Sequence, residues 1–161
     1  MAGGLFNPGS GDGGGLPIGG SVGQVLVNDG PGSGSWQDDI DQINASFDGG
    51  GSAIITGTQA VVVVEYDCTV LAWTVLALGV SGAIQVDVWK DTYANHPPTD
   101  ADAMPGAGNE PRIVATNNKG QDTDASEWTT NDIAAGSILI FNVDSCTSIT
   151  RTYVSLIVRR T

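Results

Sequence analysis

The amino-acid sequence predicts an all-β protein, a jelly-roll-like antiparallel β-sandwich preceded by an extended, glycine-rich N-terminal arm. From Phe47 onward, short apolar runs alternate with turn residues, which is typical of an all-β domain. No segment has the apolar periodicity of a long helix. Thirteen of the first 36 residues are glycine, which leaves few side chains for a core. We therefore predict an arm at residues 1–37 and a sandwich at residues 38–161.

The arm divides near Gly20. Before this point Gly and Pro punctuate the chain, which excludes a helix and favours an extended path. Beyond it, residues 23–27 form a strand candidate, residues 28–30 (Asn-Asp-Gly) are a strong turn signal, and Trp36 closes the unit. We expect this second part to form a small hairpin or to add an edge strand to a partner's sheet.

The apolar residues of the arm are too few to form a core. Ordering the backbone costs about 1–2 kcal/mol per residue, so the arm is not expected to fold by itself. We interpret its apolar side chains as anchors that insert into a neighbouring protein. They are Leu5, Phe6, Leu16, Ile18, Val25, Leu26 and Trp36.

Six apolar runs separated by turn residues are the predicted strands of the sandwich. They lie at residues 52–56, 59–66, 68–77, 83–90, 137–143 and 150–159. Residues 79–82 can form a tight hairpin between two of these strands. Residues 38–46 could begin with a single helical turn, because Asp favours helix N-termini.

Residues 91–131 form a long, polar, proline-bearing segment with one predicted strand at residues 112–115. A loop of this length in a small domain is usually functional or packed against a partner. The remaining strands are expected to share one core between two sheets. Its predicted residues are Val62, Val64, Val70, Trp73, Val75, Ile84, Val86, Val88, Ile113, Ile138, Ile140, Val154, Leu156 and Val158.

Composition excludes several classes of partner. The net charge of -12 repels nucleic acid and anionic membrane surfaces. No run approaches the ~20 apolar residues of a membrane helix, and the N-terminus lacks the pattern of a signal peptide. We therefore expect assembly in the cytoplasm, without nucleic acid or membrane as a partner. Cys68 and Cys146 lie beside strand-like runs and are expected to be buried thiols rather than a disulfide or metal ligands.

The polar residues form no convincing catalytic group. His96 is the only histidine and precedes two prolines in a loop, so a surface position is favoured over a catalytic base. Asp100 and Asp102 lack the regular ligand spacing of a calcium loop. We expect no enzyme activity, no cofactor and no metal.

Trp89 is the residue that most directly suggests recognition. Its strand position places it on the opposite face from Val86 and Val88, where an exposed aromatic ring could stack on a sugar. The favoured alternative is that it packs under the long loop or in a subunit interface, where aromatic residues are enriched. Asp87 shares this face and could bond loop amides. Trp89, Asp87 and His96 are thus the candidate interface or glycan contacts.

Several short motifs, taken together, resemble those of a known class of β-sandwich domains. They are FDGGG at residues 47–51, VDVWK at 86–90, PPTDAD at 97–102, WT at 128–129, IAAGS at 133–137 and FNV at 141–143. Together they resemble the small β-sandwich domains of tailed-bacteriophage virions, found in head-decoration proteins, head fibres and tail-fibre tips. The resemblance spans roughly residues 43–158, and residues 23–26 with Trp36 resemble the linkers that join such domains to the particle.

The resemblance implies a structural virion protein, often trimeric, that is attached through its N-terminus. The implied partners are the major capsid protein and further copies of the chain, and the implied location is the capsid exterior. We expect a capsid decoration or cement protein whose arm clamps major capsid subunits, because no long shaft separates arm and sandwich. The alternative is a tail-fibre or head-fibre module that binds a host surface glycan.

Overall fold

The computed structural model describes residues 19–31 and 33–161. Within these residues the regular structure consists of strands and short 3₁₀ helices, without an α-helix, which confirms the predicted all-β class. None of their helices is long and apolar enough to cross a membrane. The chain divides into two compact units, one ending at Asp39 and the other running from Ile40 to Thr161.

The strands of the described chain are β1 Gln24–Gly30, β2 Ser33–Asp38, β3 Ile40–Asp48, β4 Gln59–Val64, β5 Cys68–Ala77, β6 Gly82–Asp91, β7 Arg112–Asn117, β8 Lys119–Asp122, β9 Asp132–Ile133, β10 Ser137–Thr147 and β11 Arg151–Arg160. The 3₁₀ helices are Tyr93–Asn95, Asp100–Asp102 and Ala125–Glu127.

From β3 onward the strands form a sandwich of two antiparallel sheets. One sheet has the order β3-β11-β5-β8, with the short β9 also paired to β5, and the other has the order β4-β10-β6-β7. Leaving β9 aside, the first strand pairs with the last, the second with the seventh, the third with the sixth and the fourth with the fifth. This nested pairing is the jelly-roll arrangement, so the predicted sandwich type is confirmed.

The core lies between the two sheets. Its centre includes Val86, Phe141 and Leu156, which are fully buried. All predicted core residues are buried except Val62, which is half-buried and packs against the core. The burial of alternate residues on facing strands is what holds the two sheets together.

The assignment of Ile138 and Ile140 to this core is wrong, although both are buried. Leu139, Phe141 and Val143 belong to the core cluster, so the residues between them point to the other side of the sheet. Both sets alternate at period two in the run at residues 137–143. Periodicity alone therefore could not decide which set faces inward.

Two predicted elements near the start of the sandwich are corrected. In place of the helical turn predicted at residues 38–46, Asp38 ends β2 and residues 40–46 belong to β3. Ile43 and Phe47 of β3 face the core, and the strand pairs with β11 along its length. The strand predicted at residues 52–56 is instead part of the loop between β3 and β4, where Gly50, Gly51 and Gly57 have positive φ angles. This loop is fixed by the buried Ile54, whose N–H donates to Ile149 O at 2.9 Å.

The tight hairpin predicted at residues 79–82 is also wrong. The segment joins β5 to β6, and these strands lie in different sheets. Turn residues reverse the chain equally well within a sheet and across a sandwich, so the local sequence could not distinguish the two. In a jelly roll most connections cross from one sheet to the other.

The long polar segment contains more structure than expected. The strand predicted at residues 112–115 is confirmed as β7, whereas β8 and β9 were not predicted. A Cβ atom on Gly120 of β8 would lie 1.9 Å from Arg112 O of β7. Only glycine fits this close approach between edge strands of the two sheets.

The second part of the arm forms the predicted hairpin, from β1 and β2. Leu26 lies opposite Trp36 in the antiparallel register. The predicted turn at residues 28–30 instead belongs to β1, where Asn28 Oδ1 accepts a hydrogen bond from Gly30 N–H at 2.8 Å. The chain reverses after Gly30, and the register shifts just before this point, between Asn28 and Gly30.

Candidate binding surfaces

The sheet β4-β10-β6-β7 has an outer face, which is the side turned away from the core. On this face Ile140 of β10 lies opposite Val61 of β4 and Trp89 of β6. In the next row Ile138 lies opposite Val63. Val61 and Val63 are 56% and 53% exposed, whereas the two isoleucines are buried. These five residues are called the apolar strip, and its exposed part lies on an edge strand.

Asp87 and Trp89 are joined at the β6 side of this face. Trp89 Nε1–H donates to Asp87 Oδ2 at 2.7 Å, and Val88 N–H donates to Asp87 Oδ1 at 2.7 Å. Burial raises the pKa of the Asp87 carboxyl, while these two hydrogen bonds act in the opposite direction. Both partners of Asp87 lie on β6 itself and not on the loop amides that the sequence predicted. The indole N–H of Trp89 is therefore already satisfied within the protein.

The long loop runs beside this end of β6. Ala103 forms a backbone bridge with Trp89, and Met104 N–H donates to Val88 O at 2.8 Å. Trp89 is half-buried, and Met104 is fully buried. The neighbouring loop agrees with the favoured interpretation of Trp89. Its role as an interface or glycan contact stays a prediction.

Polar side chains continue the outer face beyond the apolar strip. Gln59 Nε2 donates to Asn142 Oδ1 at 3.1 Å, and Asn142 Nδ2 donates to Asp144 Oδ1 at 2.7 Å. Burial raises the pKa of the Asp144 carboxyl, and the negative charges of Asp100 and Glu110 add to this effect. The row provides amide and carboxylate groups for hydrogen bonding. This polar row could not be predicted from the sequence, because each member is an ordinary polar residue whose neighbours come from strands that are distant in the sequence.

The other residues considered for chemistry lie apart from this face's hydrogen-bond network. His96 follows the 3₁₀ helix Tyr93–Asn95 and is exposed. Both cysteines are free thiols. Cys68 is buried, as predicted, whereas Cys146 is only half-buried, so its predicted burial is wrong. Burial raises the pKa of the Cys68 thiol to about 11. In the described part of the chain, no group of three or more His, Cys, Asp or Glu side chains could hold a metal ion.

The hairpin displays the anchor residues of the arm that lie in the described range. Val25 and Leu26 are 42% and 38% exposed, and Trp36 is half-buried. The indole of Trp36 covers Gly20, where a Cβ atom would come within 2.4 Å of the ring. The other predicted anchors lie outside the described residues. They are Leu5, Phe6, Leu16 and Ile18.

The sheet β3-β11-β5-β8, called the second sheet, carries a separate apolar groove of about 520 Å³ near the end of β5 and the start of β11. Leu76 and Leu78 contribute exposed side chains, and Tyr153 completes the apolar lining. The ion pair between Arg151 Nε and Asp48 Oδ2, at 2.8 Å, lies at the same groove. No sequence pattern singled out this groove, because it combines residues from three segments that are far apart in the sequence.

No protein-family model matches the sequence, and no curated protein matches it. Among solved structures, a chain from the structure of infectious bursal disease virus, Gx strain, is similar with 13% sequence identity and a TM-score of 0.24. The match covers 83% of this chain and 36% of that chain, so this chain spans about a third of the length of the chain it matches. The match is a weak similarity to a viral protein, and neither the fold nor the function argued for this chain depends on it.

Proposed function

We propose that this chain is a structural protein of a tailed-bacteriophage virion that decorates and stabilises the capsid exterior as a cement protein. The arm at residues 1–37 binds major capsid subunits, and the jelly-roll domain stands outward as a knob. The class of particle comes from the sequence resemblance to virion β-sandwich domains. Attachment through the arm is inferred because apolar side chains of the hairpin are exposed, whereas the sandwich buries its own core.

The observation that carries the proposal is the exposed apolar surface of the hairpin. A two-stranded hairpin is only marginally stable in water without further strands or a packing surface. Here Val25 and Leu26 remain exposed. These two neighbouring residues of β1 point to opposite faces of the hairpin. A groove that encloses both faces would therefore order the hairpin and hold the chain in place.

The mechanism is mechanical rather than catalytic. Each arm contributes modest apolar contacts, and many arms on one particle act together, so the decorated shell resists opening more strongly than one contact suggests. The net charge of -12 keeps the outward domain hydrated and disfavours the packaged nucleic acid as a binding partner. We propose assembly in the host cytoplasm followed by a permanent place in the virion.

The arm can be tested without removing any segment of the chain. In one variant Leu5, Phe6, Val25 and Leu26, which sample both parts of the arm and include the exposed hairpin residues, are each replaced by Ser. In the matched control Ile55, Val80, Tyr93 and Val114, which are exposed residues of the sandwich, are each replaced by Ser. Binding is measured by cosedimentation with capsids of the encoding phage that were assembled without this protein.

We expect the arm variant to lose capsid binding by at least about tenfold, which is about 1.4 kcal/mol. The control should bind like the unmodified chain. Full binding by the arm variant, or equal loss in the control, would contradict attachment through the arm.

A further inference from the structure

The strand β4 is an open edge of the sheet β4-β10-β6-β7. It pairs with β10 along one side and has no neighbour within the sheet on the other. An edge strand exposes unpaired backbone N–H and C=O groups, and proteins usually protect it with charged residues or proline. The sequence of β4, QAVVVV, contains neither.

The other edge strands of the sandwich do carry charges. Asp41 and Asp48 lie on β3, Arg112 lies on β7, and Lys119 and Asp122 lie on β8. Among the edge strands in the described part of the sandwich, β4 alone combines an open edge with an uncharged sequence. The absence of protection at one edge indicates that this edge is covered in the assembled protein.

The apolar strip extends this uncharged edge into a surface. Val61 and Val63 are more than half exposed, and behind them lie Ile138, Ile140 and the half-buried Trp89. Side chains on one face of neighbouring strands form a continuous patch. A partner that pairs with β4 would therefore cover apolar side chains and backbone groups at the same time.

Charge identifies the partner. Copies of a chain with a net charge of -12 repel each other, so they can meet favourably only where no carboxylate must be desolvated. A basic partner would gain the most electrostatic binding energy at the acidic surfaces of the chain and the least at the apolar strip. An uncharged apolar edge on a strongly acidic protein therefore fits a partner that is itself acidic, namely a second copy of the chain.

We infer that the β4 edge and the apolar strip form the surface through which copies of this chain associate. This inference rests on the proposed function, in which the jelly-roll domain stands outward from the capsid, and it adds the surface through which such domains join each other. Association requires no capsid, so it can fail while capsid attachment succeeds, and the reverse also holds.

The experiment measures the mass of the full chain in solution by sedimentation velocity, without capsids. The test variant carries Val61→Asp and Val63→Asp. The matched control carries Val114→Asp, at a valine that is 58% exposed on β7, the opposite edge strand of the same sheet. A milder variant, Val61→Thr with Val63→Thr, preserves side-chain shape and strand preference in case the Asp variant does not fold.

We expect the unmodified chain and the Val114 control to be oligomeric. The Asp variant should be monomeric with an unchanged β-type circular dichroism spectrum, and the Thr variant should dissociate at least about tenfold more readily. A monomeric unmodified chain, or a Thr variant as tightly associated as the unmodified chain, would overturn the inference. It would also be overturned if Leu76→Asp, in the groove of the second sheet, dissociated the oligomer while the Asp variant did not.

Discussion

The hairpin and the sandwich are both built from antiparallel strands but differ in where their apolar side chains lie. In the sandwich, alternate residues of both sheets meet across one core, and Phe141 and Leu156 are completely buried. In the hairpin, Val25 and Leu26 remain exposed although their strands are paired. Backbone pairing is thus present in both units, whereas a core is described only for the sandwich. The sandwich is held together by its own core, and under the proposed function the hairpin is stabilised by the capsid surface that covers it.

Hydrogen exchange of the full chain should show this difference most strongly. Amides in the central strands β5, β10 and β11 should exchange only through global unfolding, which costs about 5–15 kcal/mol in typical domains. Amides of β1 and β2 should open locally at a small fraction of this cost. Equal protection in both units, measured by mass spectrometry or NMR without a partner, would show that the hairpin needs no external surface.

A core truncation should destabilise the sandwich strongly. Phe141→Ala removes a fully buried ring and should lower the free energy of unfolding by about 3–5 kcal/mol. Leu26→Ala in the hairpin is the control and should leave the unfolding of the sandwich nearly unchanged. Urea denaturation followed by circular dichroism measures both. A comparable loss for Leu26→Ala would mean that the two units unfold as one.

Disrupting the hydrogen bonds of Asp87 on the outer face should lower the free energy of unfolding by an intermediate amount. In Asp87→Asn one carboxylate oxygen becomes an NH₂ donor, so either the Trp89 N–H or the Val88 N–H loses its acceptor. An unsatisfied buried donor costs about 1–3 kcal/mol. Asp100→Asn, at an exposed position, is the control and should be nearly neutral. An unchanged urea midpoint for Asp87→Asn would show that this buried pair does not stabilise the sheet.

The smallest effect should come from the ion pair between the first and last strands of the sandwich. Asp41 Oδ2 lies 2.6 Å from Arg160 Nη2, and the guanidinium lies 4.1 Å from the centre of the Tyr66 ring. Two hydrogen bonds lower the pKa of Asp41: the larger effect comes from the Gln42 N–H and the next from the Arg160 guanidinium. Because both partners are partly exposed, Asp41→Asn should cost only about 0.2–1 kcal/mol at neutral pH.

The acid dependence of this cost has a defined sign. A carboxyl with a lowered pKa in the folded state stabilises the protein above its unfolded-state pKa, and this contribution is lost as the pH falls through the folded-state value. The difference between the Asp41→Asn variant and the unmodified chain should therefore shrink below pH ~3.9. Urea denaturation across this range measures it, and a difference that grew in acid would contradict the assignment.

The sequence was sufficient to predict the features that alternate clearly. Five of the six strand runs, the hairpin with Trp36 and the core positions of Val86, Val88 and Leu156 could be predicted. The inward-facing residues could not be predicted where a run is apolar on both faces. Ile138 and Ile140 lie in such a run, and the sequence is compatible with either set of alternate residues facing the core. The apolar strip depends on which strands become neighbours, so Val61 and Trp89 could be related only through the strand order.

Copy number in purified particles tests the central claim most directly. Under the proposed function a tailed phage encodes this chain. Virions of that phage are purified, and the ratio of this chain to the major capsid protein is measured by quantitative mass spectrometry with labelled peptides from both. A cement protein bound across the shell should be present in a fixed ratio to the major capsid protein, with immunogold label over the whole head. A few copies confined to the tail or to fibres, or absence from the particle, would contradict the proposed function.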